Sequence, residues 1–203
     1  MGKNIKSVVV ILILVVLLMS ASASFGAETF TTFGDAAKPK PADSKIIPAF
    51  ELPVPGNEHD KSYLGLSGTG NFNIGQINAR VLIIEVFSFY CPNCQKAAAH
   101  VNDLYQKIQQ NPQLKDNIKM IGIGADNTAF EVNAYRGRYK VEFPLFPDKN
   151  MAITDTLYVH GTPTFIGVKL NDGGRQTRFF FSEGGFDDTQ KTLNEIVELS
   201  GLK

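Results

Sequence analysis

The sequence has no tryptophan and only two cysteines among its 203 residues. Two cysteines exclude a disulfide-stapled scaffold, which needs many more. Neither charge is in excess, since 20 basic side chains meet 20 acidic ones. Nucleic-acid binding rests on a strong basic excess, so no nucleic-acid partner is expected. The sparse apolar content and large net charge of a disordered chain are also missing. At 43% hydrophobic and 20% charged, the composition is that of an ordinary globular protein. Fifteen phenylalanines and six tyrosines supply the aromatic core.

The first 27 residues read as a targeting segment. Lys3 and Lys6 precede an unbroken apolar run, Val8 to Met19, and a small, weakly polar stretch, Ser20 to Ala27. This is the three-part pattern of a secretory signal peptide, with small-residue cleavage sites after Ala23 or Gly26. Twelve apolar residues are short for a membrane span. No charge falls between Ser7 and Ala27, however, so an uncleaved anchor through residues 7–27 is the alternative. Either way the remainder is expected outside the cytoplasmic membrane, in a bacterial periplasm. Residues 28–45 (ending KPKPADSK) lack periodic apolar residues and read as a flexible linker. Residues 46–203 read as the folded domain.

Short strands are expected at Ala49–Leu52 and Phe72–Ile74. Turn-rich Pro55–Gly70 reads as loops, and Gln76–Ala79 as a helical turn. Val81–Phe89 (VLIIEVFSF) is nearly all apolar and reads as a strand buried on both faces. A helix over Pro92–Gln110 should end at Asn111-Pro112. Then come a strand at 118–124, a helix at 128–140 capped by Asp126 or Asn127, a strand at 143–146 and a short helix at 150–158. A hairpin, 164–170 and 175–182, turns on Asn171–Gly174. A last helix spans 189–199, capped by Asp187 or Asp188. The expected fold is α/β, a central mixed sheet with helices on both faces.

Cys91 and Cys94, spaced CPNC, stand where the buried strand gives way to a helix. A haem site would need His after the second cysteine, where Gln95 stands, and a zinc site would need two more ligands. A helix N-terminus favours a thiolate, because its unpaired N–H groups and dipole attract negative charge. Pro92 suits the first helical turn. Cys91 is therefore expected to be the nucleophile and Cys94 the buried resolving thiol. Glu85 lies inside the apolar strand, six residues before Cys91. A carboxyl buried there has a raised pKa and can exchange a proton with Cys94. Thr162-Pro163, in a tight turn before a strand, suits a cis bond.

A strand ending in CxxC, an acid six residues earlier and a later Thr-Pro before a hairpin together resemble the thioredoxin superfamily, from Phe50 to about Leu199. The stretch EVFSFYCPNCQ resembles the active-site loop of DsbA-type thiol oxidases. The 69 residues from Cys94 to Pro163, with FPLFPD and GTPTF, resemble the TlpA/ResA-type and AhpC/TSA-like redoxins instead. The resemblance implies a TlpA-like scaffold with a DsbA-like loop. It implies a protein-disulfide oxidoreductase in which Cys91 attacks, Cys94 resolves and Glu85 shuttles a proton. Tyr90, Pro92, Thr162 and Pro163 would contact the substrate. No organic cofactor or metal is implied beyond the Cys91–Cys94 redox pair. Partners would be protein thiols or disulfides and a membrane or periplasmic redox protein. Tyr90 replaces the Trp of typical reductive members, and Ala97 replaces a Glu often found in their CxxC helix.

Two other readings stay open. A thiol peroxidase is one, although Ile84 stands where peroxiredoxins carry proline and no arginine is clearly placed to hold the thiolate. A Cu(I) carrier is the other, using soft thiolate ligands. Of the three histidines, His160 could approach the site from its loop, His100 lies more than two turns along the helix from Cys91, and His59 has nothing to support a role.

Overall fold

The structure, a computed structural model, describes residues 45–202. The expected signal or anchor segment and all but the last residue of the expected linker lie outside them. Lys45, that last residue, is already fixed. Its carbonyl accepts from the Arg178 N–H at 2.6 Å, and Ile46 bridges Thr177.

The elements in chain order are β1 (Glu51–Pro53), α1 (Glu58–Leu64), β2 (Asn71–Asn73), a 3-10 turn (Ile74–Gln76), β3 (Val81–Phe87), α2 (Pro92–Gln110), β4 (Ile118–Ala125), α3 (Ala129–Tyr139), β5 (Leu145–Asp148), α4 (Ala152–Thr156), β6 (Thr164–Asp172), β7 (Arg175–Glu183) and α5 (Thr189–Ser200). Five strands form one mixed sheet in the order β5-β4-β3-β6-β7. β3, β4 and β5 run parallel, while β6 is antiparallel to both β3 and β7. β1 and β2 pair separately.

β3 lies at the centre, and all seven of its residues are buried. Its side chains alternate between two cores. Val81, Ile83 and Phe87 pack with α2, α3 and α5. Leu82, Ile84 and Val86 pack with the N-terminal strands, α1 and the Leu157–Val159 segment. Each such side chain gains about 1.5–3 kcal/mol on burial, which offsets the cost of the one acid, Glu85, carried inside the strand.

Three local expectations are corrected. Pro55–Gly70 holds a helix, α1, because Asn57 caps it by accepting from the Asp60 N–H and Gly65 closes it in the left-handed conformation. The helical turn near Gln76 begins at Ile74, where the Asn73 and Gln76 side chains form a capping box. α3 is capped by Thr128 with Glu131, not by Asp126 or Asn127. α1 is tied to the rest of the domain by an Asp60–Arg136 ion pair at 2.8 Å and by the Tyr63 hydroxyl, which accepts from the Met120 N–H.

Candidate active site

β3 ends at Phe87, two residues short of the expected strand end, because Ser88–Cys91 folds into a turn closed by the Cys91 N–H donating to the Ser88 carbonyl. Cys91 is the N-cap of α2 and Pro92 its first residue. The first amides of a helix lack intrahelical partners; Pro92 has none to offer, and that of Cys94 donates to Cys91 Sγ at 3.4 Å. Cys91 also donates through Sγ to the Thr162 carbonyl at 3.1 Å.

Both cysteines are free thiols, Cys91 partly exposed and Cys94 wholly buried. Partial burial pushes the Cys91 thiol up. Hydrogen bonding by the Thr162 side chain, the Cys94 thiol and the Cys94 and Asn93 amides outweighs burial, and Cys91 lies below the ordinary range. Burial drives Cys94 the other way, up to about 12. One partly exposed sulfur therefore has a lowered pKa and one buried sulfur a raised one.

Glu85 shares the β3 face of Ile83 and Phe87 and is 1% exposed. Its Oε1 has no hydrogen-bond partner among the described residues. Burial alone pushes its carboxyl up to about 8. Tyr135 reports the shared compartment: burial raises its hydroxyl above the tyrosine range, and the Glu85 and Cys94 charges add to that shift.

The Thr162–Pro163 peptide is cis. Thr164 Oγ1 donates to the Gly161 carbonyl at 2.7 Å, and the Pro163 carbonyl accepts from Gly184 N–H at 2.8 Å. Pro163 is buried and Thr162 half-buried, while Tyr90 and Pro92, the sequence neighbours of Cys91, are exposed. A cavity of about 210 Å³ opens beside Thr162, lined also by Ser88, Met151, Thr154 and His160. A larger one, about 410 Å³, lies between β7 and α5, with none of Cys91, Cys94, Glu85 or Thr162 on its walls.

Three contacts escaped the sequence reading. Asn127, wholly buried, accepts from the Phe89 N–H at 2.8 Å. Glu131 accepts from the Tyr90 hydroxyl. Tyr135 donates to the Cys94 carbonyl at 3.1 Å. The only advance signal was their four-residue spacing before and along α3. Of the histidines, His160 is exposed at the cavity and His59 contacts Asp60 at 3.2 Å. Arg136 is engaged by Asp60. Among the described residues no three His, Cys, Asp or Glu side chains converge to hold a metal.

This geometry has known counterparts. A family model described as thioredoxin-like matches residues 78–174, from before β3 into the β6–β7 turn. The fold is thioredoxin-like, a central mixed sheet flanked by helices. The thiol-disulfide oxidoreductase ResA of Halalkalibacterium halodurans is 22% identical over 129 residues, which is 64% of this chain and 67% of that protein. A Chlorobium tepidum structure described as thiol:disulfide interchange protein DsbE superposes with a TM-score of 0.58 at 15% identity, over 77% of this chain and 96% of that one. A secreted disulfide oxidoreductase of Mycobacterium tuberculosis, homologous to E. coli DsbE, superposes at 0.51 with 12% identity, over 64% and 90%. At these identities the solved structures establish the thioredoxin-like fold.

Proposed function

We propose that this chain is an exported thiol-disulfide oxidoreductase acting on protein substrates. The observation that carries the reading is the asymmetry of the pair, a lowered, accessible Cys91 over a buried Cys94 raised to about 12. The ResA similarity supports the same class of chemistry.

In the reducing direction the Cys91 thiolate attacks a substrate disulfide. The substrate S–S bond breaks, a Cys91–substrate disulfide forms, and the released thiolate takes up a proton. Cys94 then gives its proton to the Glu85 carboxylate and attacks Cys91 Sγ. The substrate leaves as a dithiol, and two electrons have passed from this protein to it. The oxidising direction reverses every step. Which one operates depends on the reduction potential of the pair against its partner. Tyr90, Pro92 and the Thr162–Pro163 turn flank Cys91 and would contact the substrate. The Pro163 carbonyl is engaged by Gly184 and the Thr162 carbonyl by the Cys91 thiol, so backbone pairing would fall to Thr162, whose carbonyl is released once Cys91 is a thiolate.

Residues 1–27 support export, by cleavage or by an anchor, to a periplasmic location where a membrane or periplasmic redox partner would restore the pair. The mycobacterial neighbour is itself secreted. The test is trapping. Cys94→Ser should accumulate mixed disulfides through Cys91, and Cys91→Ser should abolish exchange. Full exchange by the Cys91→Ser protein would overturn the reading.

A further inference from the structure

The turn carrying the nucleophile is short of internal partners. Cys91 N–H closes it on Ser88, while the amide of Phe89, the exposed hydroxyl of Tyr90 and, in addition to its place in the α2 ladder, the carbonyl of Cys94 bond to residues outside it. Gln95 Nε2 takes the Phe89 carbonyl at 2.9 Å. The other three are taken, in order, by Asn127, Glu131 and Tyr135.

These residues recur every fourth position down the β4–α3 junction. That spacing aligns side chains along one side of a helix. Asn127 sits just ahead of the Thr128 cap, and Asn127 Nδ2 also reaches Ser88 Oγ at 3.4 Å. Gly124 allows this approach, since a Cβ there would stand 3.2 Å from Asn127 Cβ and 2.7 Å from Val132 Cγ2. Glu131 is held by Thr128 as well as by Tyr90, and these bonds push its carboxyl down to about 2, with Lys149 and Asp126 nearby. The Tyr135 ring packs on Phe87 at 4.4 Å between centroids, which aims its hydroxyl at the start of α2. A helix serving only to bury surface would not need a wholly buried amide engaged at both ends, because a buried amide is costly unless bonded.

We propose that Asn127, Glu131 and Tyr135 are positioning residues that clamp the Ser88–Cys94 segment and so fix where Cys91 Sγ sits over the first turn of α2. None touches the sulfur, so they act through Phe89, Tyr90 and the Cys94 carbonyl. The inference rests on the proposed role of Cys91 as nucleophile.

The test is the pH profile of Cys91 alkylation by iodoacetamide in the reduced protein, with the glutathione equilibrium constant beside it. Tyr90→Phe, Glu131→Ala and Tyr135→Phe leave the sulfur chemically untouched. Each should move the profile midpoint upward by about half a unit, since a displaced sulfur loses helix-start stabilisation. The equilibrium should shift about threefold toward the disulfide form, because the reduced state has lost that stabilisation. Glu131→Gln, still an acceptor, should stay near wild type. The Tyr90→Phe/Glu131→Ala double variant should match the singles rather than sum them. Tyr90 and Glu131 lie at the surface, so this pair remains informative if Tyr135→Phe folds poorly. Superimposable profiles in cooperatively folded Tyr90→Phe and Glu131→Ala proteins would overturn the clamp. Failure of the wild type to exchange with glutathione would instead overturn the proposed function, and the alkylation profiles would still decide the clamp.

Discussion

Cys91 Sγ lies 3.1 Å from the carbonyl oxygen of Thr162, across 71 residues of sequence. The contact joins the start of α2 to the turn before β6, two segments that meet because β3 and β6 are neighbours in the sheet. The sulfur held there lies against the Thr162 backbone, and its sequence neighbours Tyr90 and Pro92 are exposed. In the proposed function that arrangement would receive a substrate chain, and several consequences can be measured.

Glu85 should make stability fall as pH rises. The unfolded carboxyl ionises near its ordinary value of 4.5, whereas the folded one keeps its proton up to about 8. The folded state binds more protons in that window, so stability declines between roughly pH 4.5 and 8. Glu85→Gln should remove this slope, and at pH 8 the variant should be the more stable by an amount of the order of 4 kcal/mol at most. Denaturant melts at pH 5 and pH 8 check it. An identical pH slope in the variant would place the Glu85 carboxyl outside the core.

The same substitution should flatten the kinetics. In the proposed mechanism the resolving step needs the Glu85 carboxylate, so its rate should rise with pH through about 8. Glu85→Gln should slow that step by roughly 10²-fold, the scale of one proton-transfer group. Single-turnover release from a preformed Cys91 mixed disulfide is the measurement. An unchanged rate removes Glu85 from the mechanism.

Arg136→Ala should destabilise the fold by roughly 3 kcal/mol, because it strands the buried Asp60 carboxyl without its cation. Burial pushes Asp60 up, but its bonds to Arg136, Asn57 and His59 outweigh burial and hold it below the usual carboxylate range. That stability is present above the unfolded carboxyl range and is lost as pH falls through the lowered folded value. Wild type and variant should therefore converge in acid. Melts from pH 7 to pH 3 test this, and a constant gap would argue against it.

Gly122→Ala should also destabilise, by about 1–3 kcal/mol. Gly122 pairs with Glu85 across β3 and β4. A Cβ there would meet Leu145 Cδ2 at 2.4 Å and Phe87 Cε1 at 3.2 Å. Thermal melting would read the cost, and an unchanged midpoint would mean Leu145 moves aside freely.

Much of this was legible in sequence where one residue type has one use. Pro92 and Asn111-Pro112 bracket α2, and the structure gives that helix the same bounds, Pro92–Gln110. The acid inside VLIIEVF marked Glu85 as unusual because neighbouring apolar residues left it no local partner. α1 was missed because Asn57 and Gly65 serve loops as readily as helix ends, and its seven residues show too little periodicity to decide. In sequence Asn127 reads, with Asp126, as a candidate helix cap, because nothing local distinguishes capping one's own helix from bonding a loop 38 residues earlier. Tyr135 read as core, which its ring is. The target of its hydroxyl depends on how α3 packs beside α2, and that is settled only by the assembled sheet.

The most direct test is to ask which sulfur reacts first. Reduced wild-type protein would be pulsed with iodoacetamide at pH 7, quenched, and the two cysteines quantified by peptide mass spectrometry. Cys91 should be modified at least about 10²-fold faster than Cys94, since the thiolate reacts and burial keeps Cys94 protonated. Equal rates, or faster modification of Cys94, would contradict the assignment of Cys91 as the nucleophile.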